Sequence, residues 1–459
     1  MALAEIVARK RIDVAERVRV RPLETFREHL SPSERSLSGA LTERGTGFIL
    51  ECKKASPSQG LIRSAFSPAD IARVYAPHAS AISVLTDGPY FGGSFDDLRA
   101  VREAVNQPVL CKDFVVDPYQ VYEARSHGAD AVLLMLSVLD DATYAQCAIA
   151  VRALGMEAIT EVHDADEMTR ARHLGAAIVG INNRNLKTLE VDLSVTEALA
   201  PMRPPGALLV SESGLAGHHH VRRLRRHVDA FLVGTALMRA PDLSVAVREL
   251  LYGRVKVCGL TRPADAQLAA QAGASWGGLI FAPESPRCVS LDTARTVREA
   301  EPGLAWAGVF VNRPAAEVAE TARALALDAV QLHGEEDEAA VAAVRSALSP
   351  EIEVWKAVRV RESIPRIEEA DRVLLDAFVK GARGGTGQTF DWLLLEGISD
   401  RDRLIVSGGL TPERAQAADD LGAWALDVCS GVEVSPGVKS AAALHRFFAA
   451  LRSRLEAIR

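Results

Sequence analysis

Apolar runs of four to six residues recur along the chain, each closing on a polar or glycine-containing end and followed by a stretch with helical spacing. Before them, the first ~47 residues read as helical: Leu3, Ile6, Val7 and Val14 share one face. A second short helix is expected over Leu23 to Leu30, broken by Ser31-Pro32-Ser33. The strands predicted next are Phe48–Lys53, Ile82–Thr86, Val109–Lys112, Ala131–Leu136, Glu157–Glu161, Ile178–Asn182, Leu208–Glu212 and Ala230–Gly234. The alternation restarts at once with Arg254–Gly259, Trp276–Phe281, Trp306–Val311, Ala329–His333, Val354–Val358, Val373–Asp376, Leu404–Ser407 and Ala425–Val428. Strict βα alternation means parallel strands with right-handed crossovers, and eight such units close into a barrel. The expectation is an α/β protein of two consecutive (β/α)8 TIM barrels, residues 1–252 with a helical extension over 1–47, and residues 253–459. The junction has no Pro/Ser-rich linker, so abutting barrels are expected.

In such a barrel the C-terminal strand ends carry the chemistry. Glu51 and Lys53 lie two apart, so on a strand they face one side, where a carboxylate and an ammonium are costly unless paired or used. The other ends read Asp87, Lys112, Glu161, Asn182, Glu212-Ser213-Gly214 and Gly234-Thr235. Any one of these is accounted for by a salt bridge or a helix cap. Together, the carboxylates and two lysines around one mouth are expected to shift each other's pKa and supply an acid/base pair.

In the second barrel Cys258 ends the first strand and Asp376 the sixth, a thiol and a carboxylate that could act as base and acid. The competing reading of Cys258 is an inert buried thiol. Ser213-Gly214 and Gly234-Thr235 recur in kind as Ser407-Gly408-Gly409 and Ser430-Gly431, turns that free backbone N–H groups for a phosphate. The run Gly381–Gly387, with Gly385 and Gly387, adds a loop able to wrap an anion. Contiguous His218, His219 and His220 cannot all face one ion from a helix, so no metal is expected there.

A net charge of -7 without a basic block gives no case for nucleic acid. No apolar run approaches the ~18 residues that span a membrane, and charges interrupt the N-terminus where a signal peptide needs an apolar run. Six scattered cysteines without a CxxC pair fit a reducing, cytoplasmic compartment.

The first half resembles indole-3-glycerol-phosphate synthase through ECKKASPS, VLCKDFVVDPYQVYEAR, TEVHD, VGINNRNLKTLEVDL, VSESGL and FLVGTALM. The second resembles phosphoribosylanthranilate isomerase through VKVCGLT, SPRCVS, VQLHGEE, LLDAF, GGTGQTFDW, VSGGL and LDVCSGVE. The resemblance covers essentially the whole chain and implies two consecutive reactions of tryptophan biosynthesis. For the isomerase it implies Asp376 as general acid on the ribose ring oxygen, Cys258 as base at C2, Arg287 over the anthranilate, and Gln331 and His333 in the substrate site. For the synthase it implies Lys112 as acid on the ketone and Glu161 as the carboxylate handling the dehydration protons, assisted by Lys53 and Glu51. Asn182, Arg184, Glu212 and Ser213 would hold carboxylate and hydroxyls; Ser56, Gly214, Gly234 and Thr235 would meet the phosphate. It implies no cofactor and no metal, and phosphorylated anthranilates as the ligands; a monomer is expected. Cys52 and Gln59 depart from the family pattern. Two alternatives stand beside this reading: a Schiff-base aldolase using Lys53 or Lys112, and a pair of non-catalytic barrels that bind phosphorylated metabolites.

Overall fold

A computed structural model describes residues 3–360, 368–377, 391–395 and 397–453. Residues up to Val247 form one compact unit and Arg248–Ser453 a second.

The first unit is a closed parallel barrel of β1 (Gly47–Cys52), β2 (Ala81–Leu85), β3 (Val109–Lys112), β4 (Ala131–Met135), β5 (Glu157–Val162), β6 (Ile178–Asn182), β7 (Leu208–Glu212) and β8 (Ala230–Val233). Closure comes from β1 pairing with both β8, at Gly47↔Ala230, and β2, at Ile49↔Ala81. The strand bodies are almost wholly buried, as strands covered on both faces must be, with partial exposure only at Lys112, Glu157, Ala158 and Leu208. Every predicted strand is present, with ends within about two residues of those expected.

The N-terminal region differs from expectation in detail. α1 (Leu3–Val20) is one helix, with Ile6 and Val14 buried. Leu23 to Leu30 is not a helix but two 3-10 turns, Leu23–Thr25 and Arg27–His29. Phe26 between them leaves helical geometry (φ -138°), and its buried ring meets Tyr119 edge-on at 5.9 Å. Tertiary packing of one aromatic thus overrides local helical preference. Inside the stretch expected to be helical but not placed there individually, α2 (Leu37–Glu43) starts at Ser36, whose hydroxyl caps Gly39 N at 3.0 Å. Its Leu37 and Leu41 are fully buried against Ile49, Ala81, Leu110 and Ala230 and floor the barrel.

The second unit repeats the architecture with β9 (Arg254–Cys258), β10 (Trp276–Ile280), β11 (Ala305–Phe310), β12 (Ala329–Leu332), β13 (Glu353–Val360), β14 (Arg372–Ala377), β15 (Leu404–Val406) and β16 (Ala425–Val428). β9 closes it by pairing with β10 and β16. Small residues at Ala307, Ala329, Ala357 and Ala425 leave room for a cluster of Trp276, Trp355 and Trp424. Both barrels use one device at the strand starts. An aspartate just before a strand accepts from a backbone N–H at or near the start of the preceding strand: Asp130 from Val109, Asp229 from Leu209, Asp328 from Trp306 and Asp371 from Val354, at 2.7–3.0 Å.

Candidate active sites

At the C-terminal end of the first barrel a cavity of about 430 Å³ is lined by Glu51, Lys53, Ser56, Lys112, Glu161, Asn182, Arg184, Glu212, Ser213, Gly214, Gly234 and Thr235. These include every residue that the resemblance implies for the synthase. Lys53 Nζ pairs with Glu51 Oε1 at 2.8 Å. Lys112 Nζ donates to Glu212 Oε2 at 2.9 Å and lies 3.7 Å from Glu161 Oε2. Asn182 Nδ2 donates to Glu161 Oε1 at 3.2 Å, and Asn182 Oδ1 accepts from Arg184 N.

Burial opposes the Lys112 ammonium, but Glu212, Glu161 and Glu51 outweigh it and hold the lysine charged, above its usual range. Burial also pushes at Glu161, yet His163, Lys112 and Asn182 keep this carboxyl low and ionised. Glu212 moves the other way: burial raises it, and the pull of Lys112 is offset by Glu161 and Glu51. Two neighbouring carboxyls held apart in this way can occupy different protonation states, which acid/base catalysis requires.

Two glycines clear space for these groups. A β-carbon at Gly180 would collide with Glu212 Oε1, and one at Gly234 with Glu51 Oε1. Ser213 itself has φ +68°, an uncommon conformation for a residue other than glycine. Asn183 Nδ2 stabilises the turn by donating to the carbonyls of Glu212 and Ser213.

Asp87 does not join the cavity. Lys10 of α1, 4% exposed, reaches Asp87 Oδ1 and Asp113 Oδ1 at 2.6 Å each. This buried trio ties α1 to the ends of β2 and β3 and brings Leu3 and Ile6 into the cavity wall. The partner of Asp87 is 77 positions away in sequence, so no local pattern points to it. His163 was also missed: Nε2 lies 3.2 Å from Glu161 Oε1 and Nδ1 3.0 Å from Glu167 Oε2. Its spacing of two from Glu161 was the available signal. Cys52 turns outward, its thiol near Pro68 O at 3.8 Å.

The cavity of the second barrel measures about 590 Å³ and is lined by Cys258, Arg287, Gln331, His333, Asp376, Ser407, Gly408, Gly409, Ser430 and Gly431. Gly385 and Gly387 lie outside the described residues. His333 Nε2 lies 3.4 Å from Asp376 Oδ2, and the Gln331 amide meets His333 Nδ1 at 2.9 Å. An amide N–H on Nδ1 leaves the ring hydrogen on Nε2, facing Asp376. Arg287 is held by Glu433 through Nε at 3.0 Å and Nη2 at 2.7 Å. Gly408 and Gly409 have φ +77° and +63°, so this turn needs glycine. Beneath Cys258 a fully buried Lys256 pairs with Asp427 at 2.7 Å, and Ser407 Oγ donates to Asp427 Oδ2. Lys256 and Asp427 were not foreseen, although each stands two positions before a cysteine on a barrel strand.

His218–His220 open a helix after Gly217; the rings of His219 and His220 lie 4.0 Å apart, and His220 Nδ1 accepts from Ala216 N. Among the described residues no group of three His, Cys, Asp or Glu side chains could hold a metal ion, and no helix is long and apolar enough to cross a membrane.

Residues 3–250 match the family described as Indole-3-glycerol phosphate synthase, and residues 255–450 that of N-(5'phosphoribosyl)anthranilate (PRA) isomerase. The chain belongs to both families, joined in one polypeptide. The synthase–isomerase is 50% identical to the Tryptophan biosynthesis protein TrpCF of Vibrio cholerae serotype O1, over 98% of this chain and 96% of that protein. It is 48% identical to the protein of that name from Salmonella typhi, over 98% and 99%. The isomerase barrel is similar to the crystal structure of phosphoribosyl anthranilate isomerase from Thermus thermophilus, 36% identical, over 43% of this chain and 98% of that one, with a TM-score of 0.39. The chain is thus a bifunctional enzyme of tryptophan biosynthesis, carrying synthase and isomerase activities on separate barrels.

Proposed function

We propose the following residue roles, with the synthase barrel ending at Tyr252, where the helix Leu243–Tyr252 stops before β9. In the isomerase barrel Asp376 protonates the ribose ring oxygen of N-(5-phosphoribosyl)anthranilate as the C1–O bond opens. Cys258, as thiolate, then removes the C2 proton, and the enol relaxes to the 1-deoxyribulose phosphate. Gln331 and His333 orient Asp376, and Arg287, steadied by Glu433, faces the anthranilate. The Gly408-Gly409 and Ser430-Gly431 turns take the phosphate.

In the synthase barrel Lys112 gives its proton and its charge to the ketone during ring closure. Glu161 carries the protons of dehydration after CO2 leaves. Lys53 and Glu51 assist, Asn182, Arg184, Glu212 and Ser213 hold carboxylate and hydroxyls, and Ser56, Gly214, Gly234 and Thr235 meet the phosphate. The observation that carries this reading is the position of Lys112 between two carboxylates of opposite tendency at the cavity wall. It also speaks against a Schiff-base aldolase, since an imine-forming lysine must lose the proton that Glu212, Glu161 and Glu51 hold on Lys112.

Each barrel supplies its own acid/base groups, which supports a monomer as the working unit, and six free cysteines support a cytoplasmic setting. The test is a crystal grown with inorganic phosphate or sulfate. Anions are expected at Gly214/Gly234 and at Gly408/Ser430; anions elsewhere, with these turns pointing away, would overturn the phosphate assignments.

A further inference from the structure

Cys258 ends β9 and Cys429 follows β16, its parallel neighbour. The register pairs Val257 with Val428, so one step further the two cysteines stand side by side. Adjacent strands run about 4.8 Å apart, inside the range of roughly 4.4–6.8 Å that a disulfide spans between α-carbons. The two thiols share a hydrogen bond. Lys439, buried on the neighbouring hairpin, donates through Nζ to the carbonyls of both Cys258 and Cys429, clamping the two backbones together. Both side chains line the substrate cavity, so a small solute reaches them by the substrate's own route.

We propose that Cys258 and Cys429 form a dithiol site that a hydroperoxide oxidises to a reversible disulfide. The Cys258 thiolate attacks the peroxide: an S–O bond forms, the O–O bond breaks, and the leaving oxygen takes a proton and departs as water or an alcohol. Cys429 then attacks the sulfenic sulfur; the S–S bond forms, the S–O bond breaks, and the hydroxide leaves with the Cys429 proton as water. Two thiols are oxidised by two electrons and one peroxide is reduced. A dithiol reductant reverses the change by exchange.

The remaining cysteines have no such environment. Burial pushes the thiols of Cys111 and Cys147 up to about 12, and that of Cys52 up as well. Cys288 is exposed. For Cys258 the Cys429 hydrogen bond does most to hold the thiol below its usual range; burial opposes it, and Lys256 and Lys439 add to it.

The effect on turnover rests on Cys258 being the isomerase base, and the measurements separate the two claims. The full chain is treated with a few equivalents of hydrogen peroxide, digested without reductant and mapped by mass spectrometry, with both activities followed. The expected result is a Cys258–Cys429 linked peptide, isomerase turnover lower by roughly 10²-fold, synthase turnover retained, and recovery with dithiothreitol. In Cys429→Ser the same treatment should carry Cys258 on to the sulfinic acid, with loss that dithiothreitol does not reverse. Absence of the linked peptide, sulfinic acid at Cys258 in the unsubstituted chain, or full recovery of Cys429→Ser would each overturn the proposal. A linked peptide with undiminished isomerisation would uphold the dithiol site and remove the base assignment instead.

Discussion

Lys112 Nζ stands 2.9 Å from Glu212 Oε2, a contact across the barrel mouth between non-adjacent strands whose two residues are 100 positions apart in sequence. Removing the ammonium takes from Glu212 its ion-pair partner and leaves Glu161 with His163 as counter-charge. Lys112→Ala should lower indole-ring formation by about 10²–10⁴-fold, the range for a lost general acid. Isomerisation should continue and its product accumulate. Steady-state rates of both reactions on the folded variant decide this; loss of both would mean the two sites are coupled.

Asp376→Asn should show the reverse. The amide is nearly isosteric and can keep a contact with His333, but it has no acid proton to give. Isomerase turnover should fall by about 10²-fold or more, while the synthase still closes the ring on supplied 1-deoxyribulose phosphate. Near-normal isomerisation would remove Asp376 from the chemistry.

The acidic limb of the isomerase pH profile should report Cys258. A base must be deprotonated, so turnover falls as pH drops through the thiol's pKa, which the protein holds below the free-thiol value of ~8.5. Cys429→Ala removes the largest contributor to that lowering, and the limb should move to higher pH. Cys429→Ser keeps a hydroxyl donor and should move it less. Identical limbs in all three proteins would show that Cys429 does not set the thiol.

Gly180→Ala tests the space made for Glu212. Its β-carbon would meet Glu212 Oε1 and stand 2.9 Å from Ile159 Cγ2, so the carboxylate must swing away from Lys112. Synthase turnover should drop by at least about tenfold, with a stability cost of about 1–3 kcal/mol for overpacking. Unaltered synthase kinetics would show that Glu212 tolerates displacement.

His163 lends stability with a definite pH window. Burial alone would lower its pKa, but Glu161 and Glu167 raise it to about 10. A raised folded pKa means the stabilisation is complete below the unfolded value of ~6.5 and is lost as pH rises through about 10. His163→Gln should therefore cost about 3 kcal/mol near pH 6, the scale for breaking a buried pair, and much less near pH 10. All five tryptophans lie at Trp276 or beyond, so their fluorescence reports the second barrel. Hydrogen exchange of β5 and β6 amides is the appropriate probe, and a pH-independent cost would contradict the charge argument.

Strand periodicity sufficed for two parallel barrels, because a strand buried on both faces needs an apolar run, and most runs here are followed by a polar or glycine-containing end. The same rule brought out Glu51, Lys112, Glu161, Glu212, Cys258 and Asp376 as strand-end residues, since the barrel places all C-terminal ends at one mouth. What sequence could not supply was the partner of each charge. Lys10 sits on an amphipathic helix like any surface lysine, and only the packing of α1 brings it to Asp87 and Asp113. Phe26 belongs to a segment with helical spacing, and its contact with Tyr119 breaks that helix. Lys256 and Asp427 read as ordinary residues inside strands; closure of β9 on β16 makes them a buried pair beneath a dithiol. Local pattern is written in neighbouring residues, whereas ionisation and pairing depend on distances across the barrel, and those exist only once the sheet has closed.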